Sequence, residues 1–178
     1  MSADRPALIG VLTVSDRASR GEYEDKGGPA AEDWIHRCLT SPHRVLRRIV
    51  PDGVESVSAA LIRMADEDGA DLILVTGGTG PAPRDQTPEA LAAVIDRQLP
   101  GFGEAMRRAS LAEVPTAILS RQEAGTRGKS LIILLPGKPS AIATCLSAVF
   151  AAVPYCLDLI GAARIETDPA MSNAFRPG

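Results

Sequence analysis

Short apolar runs alternate with segments of helical periodicity along most of the chain. The runs predict strands at residues 8–15, 72–76, 115–123 and 128–135, the first of them buried, and alternation predicts another strand at residues 44–50. Apolar residues that recur every three or four positions predict helices at residues 29–39, 54–68, 104–112 and 140–160. Alternation of strands with helices is typical of an α/β domain with a mostly parallel sheet flanked by helices.

Proline and glycine set the boundaries of these elements. Thr87-Pro88-Glu89 has the cap, first-turn proline and acid that open a helix, whereas the 101–103 Gly-Phe-Gly segment predicts an interruption before residue 104. Pro154 predicts a break or kink in the 140–160 helix. The chain has no internal repeat or low-complexity linker, so we predict one domain over residues 1–178. Beyond Gly161 we expect a tail that leaves the domain.

The composition indicates what kind of core the protein has and which classes of ligand it can bind. Apolar residues make up 45% of the 178 residues but aromatic residues only 3%, which predicts a core of small aliphatic side chains. A net charge of −3 gives no broad basic surface for nucleic acid, so an anionic ligand would need a local group of amides and cations.

Cysteine usage and the N-terminal sequence bear on location. The three cysteines, Cys38, Cys145 and Cys156, have no short paired spacing, which argues against a disulfide framework or zinc site and favours buried, inert thiols in a reducing compartment. The N-terminus lacks a signal-peptide pattern, and no apolar run reaches the roughly 18 residues that span a bilayer. We therefore expect a cytoplasmic protein that does not bind a membrane.

Polar loops follow the predicted strands at the edge where open α/β sheets bind ligands. One loop begins with Ser15, Asp16 and Arg17, and a second contains Asp52. Another loop runs Pro136, Gly137, Lys138, Pro139 and Ser140. Taken singly, these segments could equally be a solvated excursion, a Pro-Asp-Gly turn and an ordinary strand-to-helix turn.

The loop after residue 76 carries the strongest signal. Gly77, Gly78 and Gly80 let the backbone approach a ligand and leave amides for phosphate oxygens, and Thr79 adds a hydroxyl. Further along this loop, Arg84 can neutralise phosphate, Asp85 can hold magnesium, and Thr87 precedes the next helix. The loop is neither a Walker loop nor a dinucleotide fingerprint.

Neither histidine, His36 or His43, falls in these loops, and no nucleophile with a base is evident. Amides, cations and metal-binding carboxylates are instead what phosphoryl-type transfer requires.

Together the loops resemble the molybdopterin adenylyltransferases of the bacterial MogA type. The matching segments are VSDRASRGEYEDKGGPA, IVPDG, LILVTGGTGPAPRDQTPEA, LPGFGEAMR, VPTAILSRQ, LLPGKPSAI and VPYC. They occur in the family's order over nearly the whole chain.

The resemblance implies a homotrimer that joins the AMP of Mg-ATP to the terminal phosphate of molybdopterin and releases pyrophosphate. It places the family's two important aspartates at Asp52 and Asp85, for catalysis and for magnesium or pterin-phosphate positioning. It also places the phosphate cradle at residues 77–80, with Ser15, Asp16 and residues 136–140 lining the rest of the pocket. A handover of product to a metal-insertion enzyme would follow.

Two alternatives remain at the level of sequence. One is a carrier or regulator that binds molybdopterin without adenylyl transfer. The other is the related metal-inserting enzyme, whose additional domains this chain lacks.

Overall fold

A six-stranded sheet forms the centre of the structure, a computed structural model that describes residues 5–178. The strands are β1 (Ala7–Val14), β2 (His43–Val50), β3 (Leu72–Thr76), β4 (Arg97–Gln98), β5 (Ala124–Arg127) and β6 (Ser130–Leu135). Their order is β2-β1-β3-β6-β5-β4. The first four strands in this order are parallel, and β5 and β4 add antiparallel pairs at one edge. The predicted α/β class with a mostly parallel sheet is confirmed.

Seven α-helices flank the sheet in the described part of the chain. They are α1 (Asp16–Ser19), α2 (Gly27–Cys38), α3 (Val54–Ile62), α4 (Thr87–Val94), α5 (Pro100–Leu111), α6 (Pro139–Val149) and α7 (Val153–Ile160). The predicted 54–68 helix is longer than α3 because the chain continues through a π-helical segment, Arg63–Glu67.

The central strands β1, β3 and β6 are buried on both faces because they carry apolar side chains at successive positions, whereas β2 and β4 have no fully buried residue. Leu72 and Leu74 of β3 pack into the core formed with α2, α6 and α7, whereas Ile73 and Val75 pack into the core formed with α3 and α4. Trp34 and Phe150 form an aromatic pair in the larger core, with ring centroids 4.7 Å apart. Aliphatic packing otherwise fills both layers, as the composition predicts.

Two predictions about the region before β6 are wrong. Residues 115–123 do not form a strand: Pro115–Leu119 is a 3₁₀ helix, and the strand that pairs with β6 is Ala124–Arg127. The apolar side chains that suggested a strand are instead exposed, Ile118 at 70%. Nor does the Gly-Phe-Gly segment interrupt α5, because Gly103 lies inside the helix where a Cβ would collide with the Gln122 carbonyl oxygen.

The prediction that the segment after α7 leaves the domain is wrong. Ala163 and Ile165 are fully buried, and the Ala163 amide donates to the Asp71 carboxylate at 2.9 Å. Further along, the Asp168 amide donates to the Cys38 carbonyl at 2.7 Å. The segment therefore closes the core next to α2.

The apolar stretch Pro139–Ile160 is interrupted where Pro154 predicts. A 3₁₀ turn, Phe150–Ala152, separates α6 from α7, and Pro154 lies in the first turn of α7. By length and composition alone this 22-residue stretch is long and apolar enough to cross a membrane, which the sequence analysis did not anticipate. Core helices of globular domains meet the same criterion, and this stretch contributes Leu146, Val149 and Leu157 to the core.

The three cysteines carry free thiols, and Cys38 and Cys145 are buried as predicted, while Cys156 is partly buried. Burial, with a smaller contribution from Asp168, raises the pKa of the Cys38 thiol from 9.0 to about 11. Burial also raises the pKa values of Cys145 and Cys156. A raised thiol pKa is typical of an unreactive, structural cysteine.

Candidate active site

The loops that follow β1, β2, β3 and β6 meet around one cavity at the carboxyl ends of the parallel strands. The cavity has a volume of about 520 Å³. Its lining includes fourteen residues that the sequence analysis selected: Ser15, Asp16, Arg17, Asp52, Gly77, Gly78, Thr79, Gly80, Arg84, Asp85, Pro136, Gly137, Lys138 and Pro139. Their proximity follows from the parallel register of the strands, and their chemical roles stay predictions.

Two consecutive glycines with positive φ shape the loop after β3. Gly77 has φ of 96° and Gly78 has φ of 68°, which side-chain-bearing residues rarely adopt. A Cβ at Gly77 would also collide with the Val14 carbonyl oxygen of β1. The loop can therefore fold tightly against the neighbouring strand only with glycine at this position.

Hydrogen bonds behind the loop hold its carbonyl groups. The Thr87 hydroxyl donates to the Gly77 carbonyl at 2.9 Å, and the Thr87 amide donates to the Gly78 carbonyl at 3.1 Å. The Arg121 amide donates to the Thr79 carbonyl at 2.8 Å. All three acceptors therefore point away from the cavity.

The orientation of these carbonyls fixes the orientation of the amides that follow them. In a trans peptide the N–H group points opposite to the carbonyl of the preceding residue, and the structure has no cis peptide bond among the residues it describes. The amides of Gly78, Thr79 and Gly80 are thereby turned towards the cavity. Within residues 5–178 none of these three amides donates to a protein acceptor. Successive unpaired amides in such a loop form an anion-binding nest; we call these three groups the amide nest.

Asp16 and Asp52 bind each other's backbone and so join two loops. The Asp16 amide donates to Oδ2 of Asp52 at 3.0 Å, and the Asp52 amide donates to Oδ1 of Asp16 at 3.0 Å. The other oxygen of Asp52 lies 3.4 Å from the position of a Cβ on Gly78. Asp52 therefore lies against the amide nest and also fixes the geometry of the loop after β1.

Asp85 has a different environment. Its Oδ2 lies 2.7 Å from the position of a Cβ on Gly80, so a larger residue there would displace this carboxylate from its present position beside the loop. No donor from the described residues binds its carboxylate, although its backbone carbonyl accepts from Arg121 at 2.6 Å. Asp85 is thus positioned through its main chain and keeps both carboxylate oxygens available.

The two aspartates fit the coordination that magnesium prefers. Mg²⁺ is usually bound by one or two carboxylates together with phosphate oxygens of a substrate, and not by a cage of protein ligands. Across residues 5–178, no three His, Cys, Asp or Glu side chains come together to form such a cage. Asp52 and Asp85 on the cavity wall, with phosphate on the amide nest, would make the smaller donor set.

Charged side chains of both signs surround the cavity. The cations are Arg17, Lys26, Arg84 and Lys138, and the carboxylates are Asp16, Asp25, Asp52 and Asp85. Asp25 is held internally, because its carboxylate accepts from the Thr13 hydroxyl at 2.8 Å and from the Gly28 amide at 3.0 Å. The cations have the long side chains and exposure needed to reach a phosphate.

Two selected residues do not line the cavity. Thr87 is fully buried and acts through the loop carbonyls, and Ser140 lies on the exposed first turn of α6. The histidines lie elsewhere, with Nδ1 of His36 3.0 Å from Nε2 of His43.

Tyr23 and Arg121 belong to this region but were not selected from the sequence. Among residues 5–178, Tyr23 is the only aromatic side chain on the cavity wall, and it lies beneath the Arg17 guanidinium, whose Cζ is 4.9 Å from the ring centroid. Arg121 holds the loop from behind. Both lie in segments quoted for the family resemblance, which was the available signal.

The fold and the cavity define an α/β protein with a polar cavity, lined by a glycine-rich loop and charged side chains, at the carboxyl end of its sheet. The family model described as "Probable molybdopterin binding domain" matches residues 10–155. The chain belongs to this family, as its resemblance predicts.

Similar proteins agree on this assignment. The molybdopterin adenylyltransferase of Helicobacter pylori (strain ATCC 700392 / 26695) is 53% identical over 169 residues, covering 95% of this chain and 96% of the relative. The molybdopterin adenylyltransferase of Escherichia coli (strain K12) is 47% identical, covering 95% and 93%. Among solved structures, the molybdopterin biosynthesis enzyme MoaB of Thermus thermophilus is 42% identical, covers 86% of this chain and 96% of its own, and superposes with a TM-score of 0.79.

Proposed function

We propose that this protein is a molybdopterin adenylyltransferase, which transfers AMP from ATP to the terminal phosphate of molybdopterin. The amide nest beside Asp52 and Asp85 is the observation that carries the proposal, because the reaction brings two phosphate-bearing substrates together. The two relatives with this name, each about half identical over nearly full length, support it.

The proposed reaction forms one bond and breaks one. An oxygen of the pterin phosphate attacks the α-phosphorus of ATP, the bond from that phosphorus to the bridging oxygen breaks, and pyrophosphate leaves. The attacking phosphate is ionised near neutral pH, so no general base is needed. The amides of Gly78, Thr79 and Gly80 hold phosphate oxygens, and Arg84 and Lys138 offset negative charge at the cavity rim. Positioning of the two substrates then supplies much of the rate.

Magnesium is part of the proposal. Bound with ATP, Mg²⁺ would offset charge that develops on the phosphate oxygens. Asp85, whose carboxylate has no donor from residues 5–178, is the principal candidate ligand, and Asp52 is the second. Asp52 keeps one oxygen engaged with the Asp16 amide, so it also serves as a structural link.

We also propose a homotrimer in the cytoplasm. Exposed apolar side chains at the end of α5 and between α5 and β5 support self-association: Leu111, Val114, Ile118 and Leu119 are 41–70% exposed. Free cysteines and a nucleotide substrate are compatible with a reducing, ATP-containing compartment. An adenylylated product is an activated intermediate, so we propose that it passes to a metal-insertion enzyme.

Pyrophosphate release tests the function directly. Purified protein is given ATP, magnesium and molybdopterin, together and with each component omitted, alongside Asp85→Ala and the control Asp66→Ala. Asp66 pairs with Arg127 at a distance from the cavity. We expect release only with all three components, a loss of about 100-fold in Asp85→Ala, and normal release in the control.

Other outcomes would change the assignment. Pterin binding without pyrophosphate release would contradict the proposal and favour a carrier protein. Normal turnover in Asp85→Ala would remove this residue from the catalytic machinery while leaving the transferase activity in place.

A further inference from the structure

Arg121 lies behind the phosphate-binding loop and contacts it at three points. Its amide donates to the Thr79 carbonyl at 2.8 Å, its Nε donates to the Gly80 carbonyl at 2.9 Å, and one terminal nitrogen donates to the Asp85 carbonyl at 2.6 Å. The planar, five-donor guanidinium is the side chain best suited to bind several fixed acceptors at once. Arg121 thus spans the loop from the nest to the candidate magnesium ligand.

Glu89 of α4 fixes the orientation of this guanidinium. Its carboxylate accepts from both terminal nitrogens of Arg121. Because the two groups stabilise each other's charge, the pKa of Glu89 is lowered and the pKa of Arg121 is raised. The guanidinium therefore stays charged, with its Nε directed at the loop.

We infer that Arg121 is a positioning residue for phosphate binding, which holds the Gly80 and Asp85 carbonyls outward so that the loop presents its amides and the Asp85 carboxylate to the ligand. Arg121 lies outside the cavity lining and touches no substrate in this arrangement. Its effect is exerted through the main chain. The peptide between Gly80 and Pro81 has no N–H group, so its rotation would turn the Gly80 carbonyl oxygen towards the phosphate, where it would repel the ligand. The inference rests on the proposed function for the identity of the phosphate, but not for the presence of an anion site.

A matched pair of arginines separates this role from a general contribution to stability. Arg127 also pairs with a carboxylate, Asp66, and also donates to a helix-end carbonyl, that of Val94 at 2.8 Å. It lies on β5, away from the cavity. Arg121→Gln and Arg127→Gln therefore remove the same charge and a comparable number of hydrogen bonds.

The experiment titrates each protein with inorganic pyrophosphate and follows backbone amide signals by ¹H–¹⁵N NMR, with calorimetry for affinity. In the wild type we expect the Gly78, Thr79 and Gly80 amides to shift on binding. Arg121→Gln keeps the main-chain bond to Thr79 but loses the side-chain bonds to Gly80 and Asp85, so we expect it to lose affinity by about tenfold and to change the shift of the Gly80 amide most. Arg121→Lys keeps the charge but lacks the planar guanidinium with its several fixed donors, so it should recover only part of the affinity. Arg127→Gln should bind pyrophosphate within about twofold of the wild type.

Clear outcomes overturn the inference. Arg121→Gln with normal pyrophosphate affinity and normal nest shifts would show that the loop holds its shape alone. Equal losses in the two glutamine variants would show a general loss of stability instead of positioning. If the wild type binds pyrophosphate on the nest but releases none from ATP and molybdopterin, the proposed function fails while the inference about Arg121 stands.

Discussion

The two ends of the parallel strands differ in whether their polar groups have hydrogen-bond partners within the protein. At the amino end, the Asp71 carboxylate is 1% exposed and accepts from the Leu8 amide, the Ala163 amide and the Arg5 guanidinium. At the carboxyl end, the amide nest has no protein acceptor in the described chain. Full satisfaction of buried polar groups stabilises a fold, whereas groups held ready but unsatisfied provide binding energy for a ligand. From this difference we predict that substitutions at the amino end mainly affect stability and that substitutions at the carboxyl end mainly affect ligand binding.

The largest effect is expected from Asp71→Ala. Removing the carboxylate leaves two backbone amides and one guanidinium without their acceptor, and we expect the free energy of unfolding to fall by about 3 kcal/mol. Urea denaturation measures this loss, and kcat for pyrophosphate release should be unchanged in the folded fraction. Asp66→Ala, which breaks an exposed ion pair, should cost less than about 1 kcal/mol. A similar small loss for Asp71→Ala would remove the distinction between the two ends.

Alkaline pH offers a second test of the amino end of the strands, near which α2 ends with Cys38. The pKa of its thiol is about 11 in the folded protein, against an ordinary value of 9.0. A raised folded pKa means that the thiol's contribution to stability is complete below pH 9.0 and is lost as pH rises towards 11. Over this window we expect the wild type to lose about 2 kcal/mol more than Cys38→Ala does. Parallel pH profiles of the two proteins would contradict the burial argument.

A smaller effect is expected from Gly80→Ala at the carboxyl end of the strands. The new methyl group would meet Oδ2 of Asp85, which can move aside with little cost to stability. Displacing the carboxylate should lower kcat/KM for pyrophosphate release by about tenfold. Gly101→Ala in α5 is the control, since a Cβ there meets no atom within 4 Å. Full activity in Gly80→Ala would show that the carboxylate position is not critical.

The smallest effect concerns acid pH and the carboxylate that orients Arg121. Because the pKa of Glu89 is lowered in the folded protein, its contribution to stability is present above pH 4.5 and is lost as pH falls through the folded pKa. Glu89 is 48% exposed, so solvent screens the pair and the contribution is small. We expect Glu89→Gln to change pyrophosphate affinity by no more than about twofold at neutral pH. A tenfold loss would make Glu89 as important as Arg121.

Much of the fold and of the cavity lining could be predicted from the sequence because the signals are local. The apolar run Leu72–Thr76 predicts a buried strand, and the glycines that follow it within a few residues predict a tight loop. Parallel pairing then brings the ends of such strands together, so residues as distant as Asp16, Asp52 and Asp85 fall on one cavity.

The features that could not be predicted depend on contacts between distant segments. The reciprocal pairing of Asp16 with Asp52 joins residues 36 positions apart, and Arg121 reaches Asp85 over the same separation. In the sequence, the apolar residues before Arg121 look like a strand, and only the structure shows that they are exposed. The burial of Ala163 likewise depends on Asp71, which is 92 residues away.

The order in which the chain is synthesised adds a consequence of the β3–β6 pairing. The Gly77 amide donates to the Leu135 carbonyl at 3.2 Å, and β6 enters the sheet between β3 and β5 although it is the last strand in sequence. A nascent chain that has exposed residues 72–87 therefore has the glycine loop but neither the strand nor the arginine that shape it. We therefore expect the amide nest to form only after residue 135 has left the ribosome.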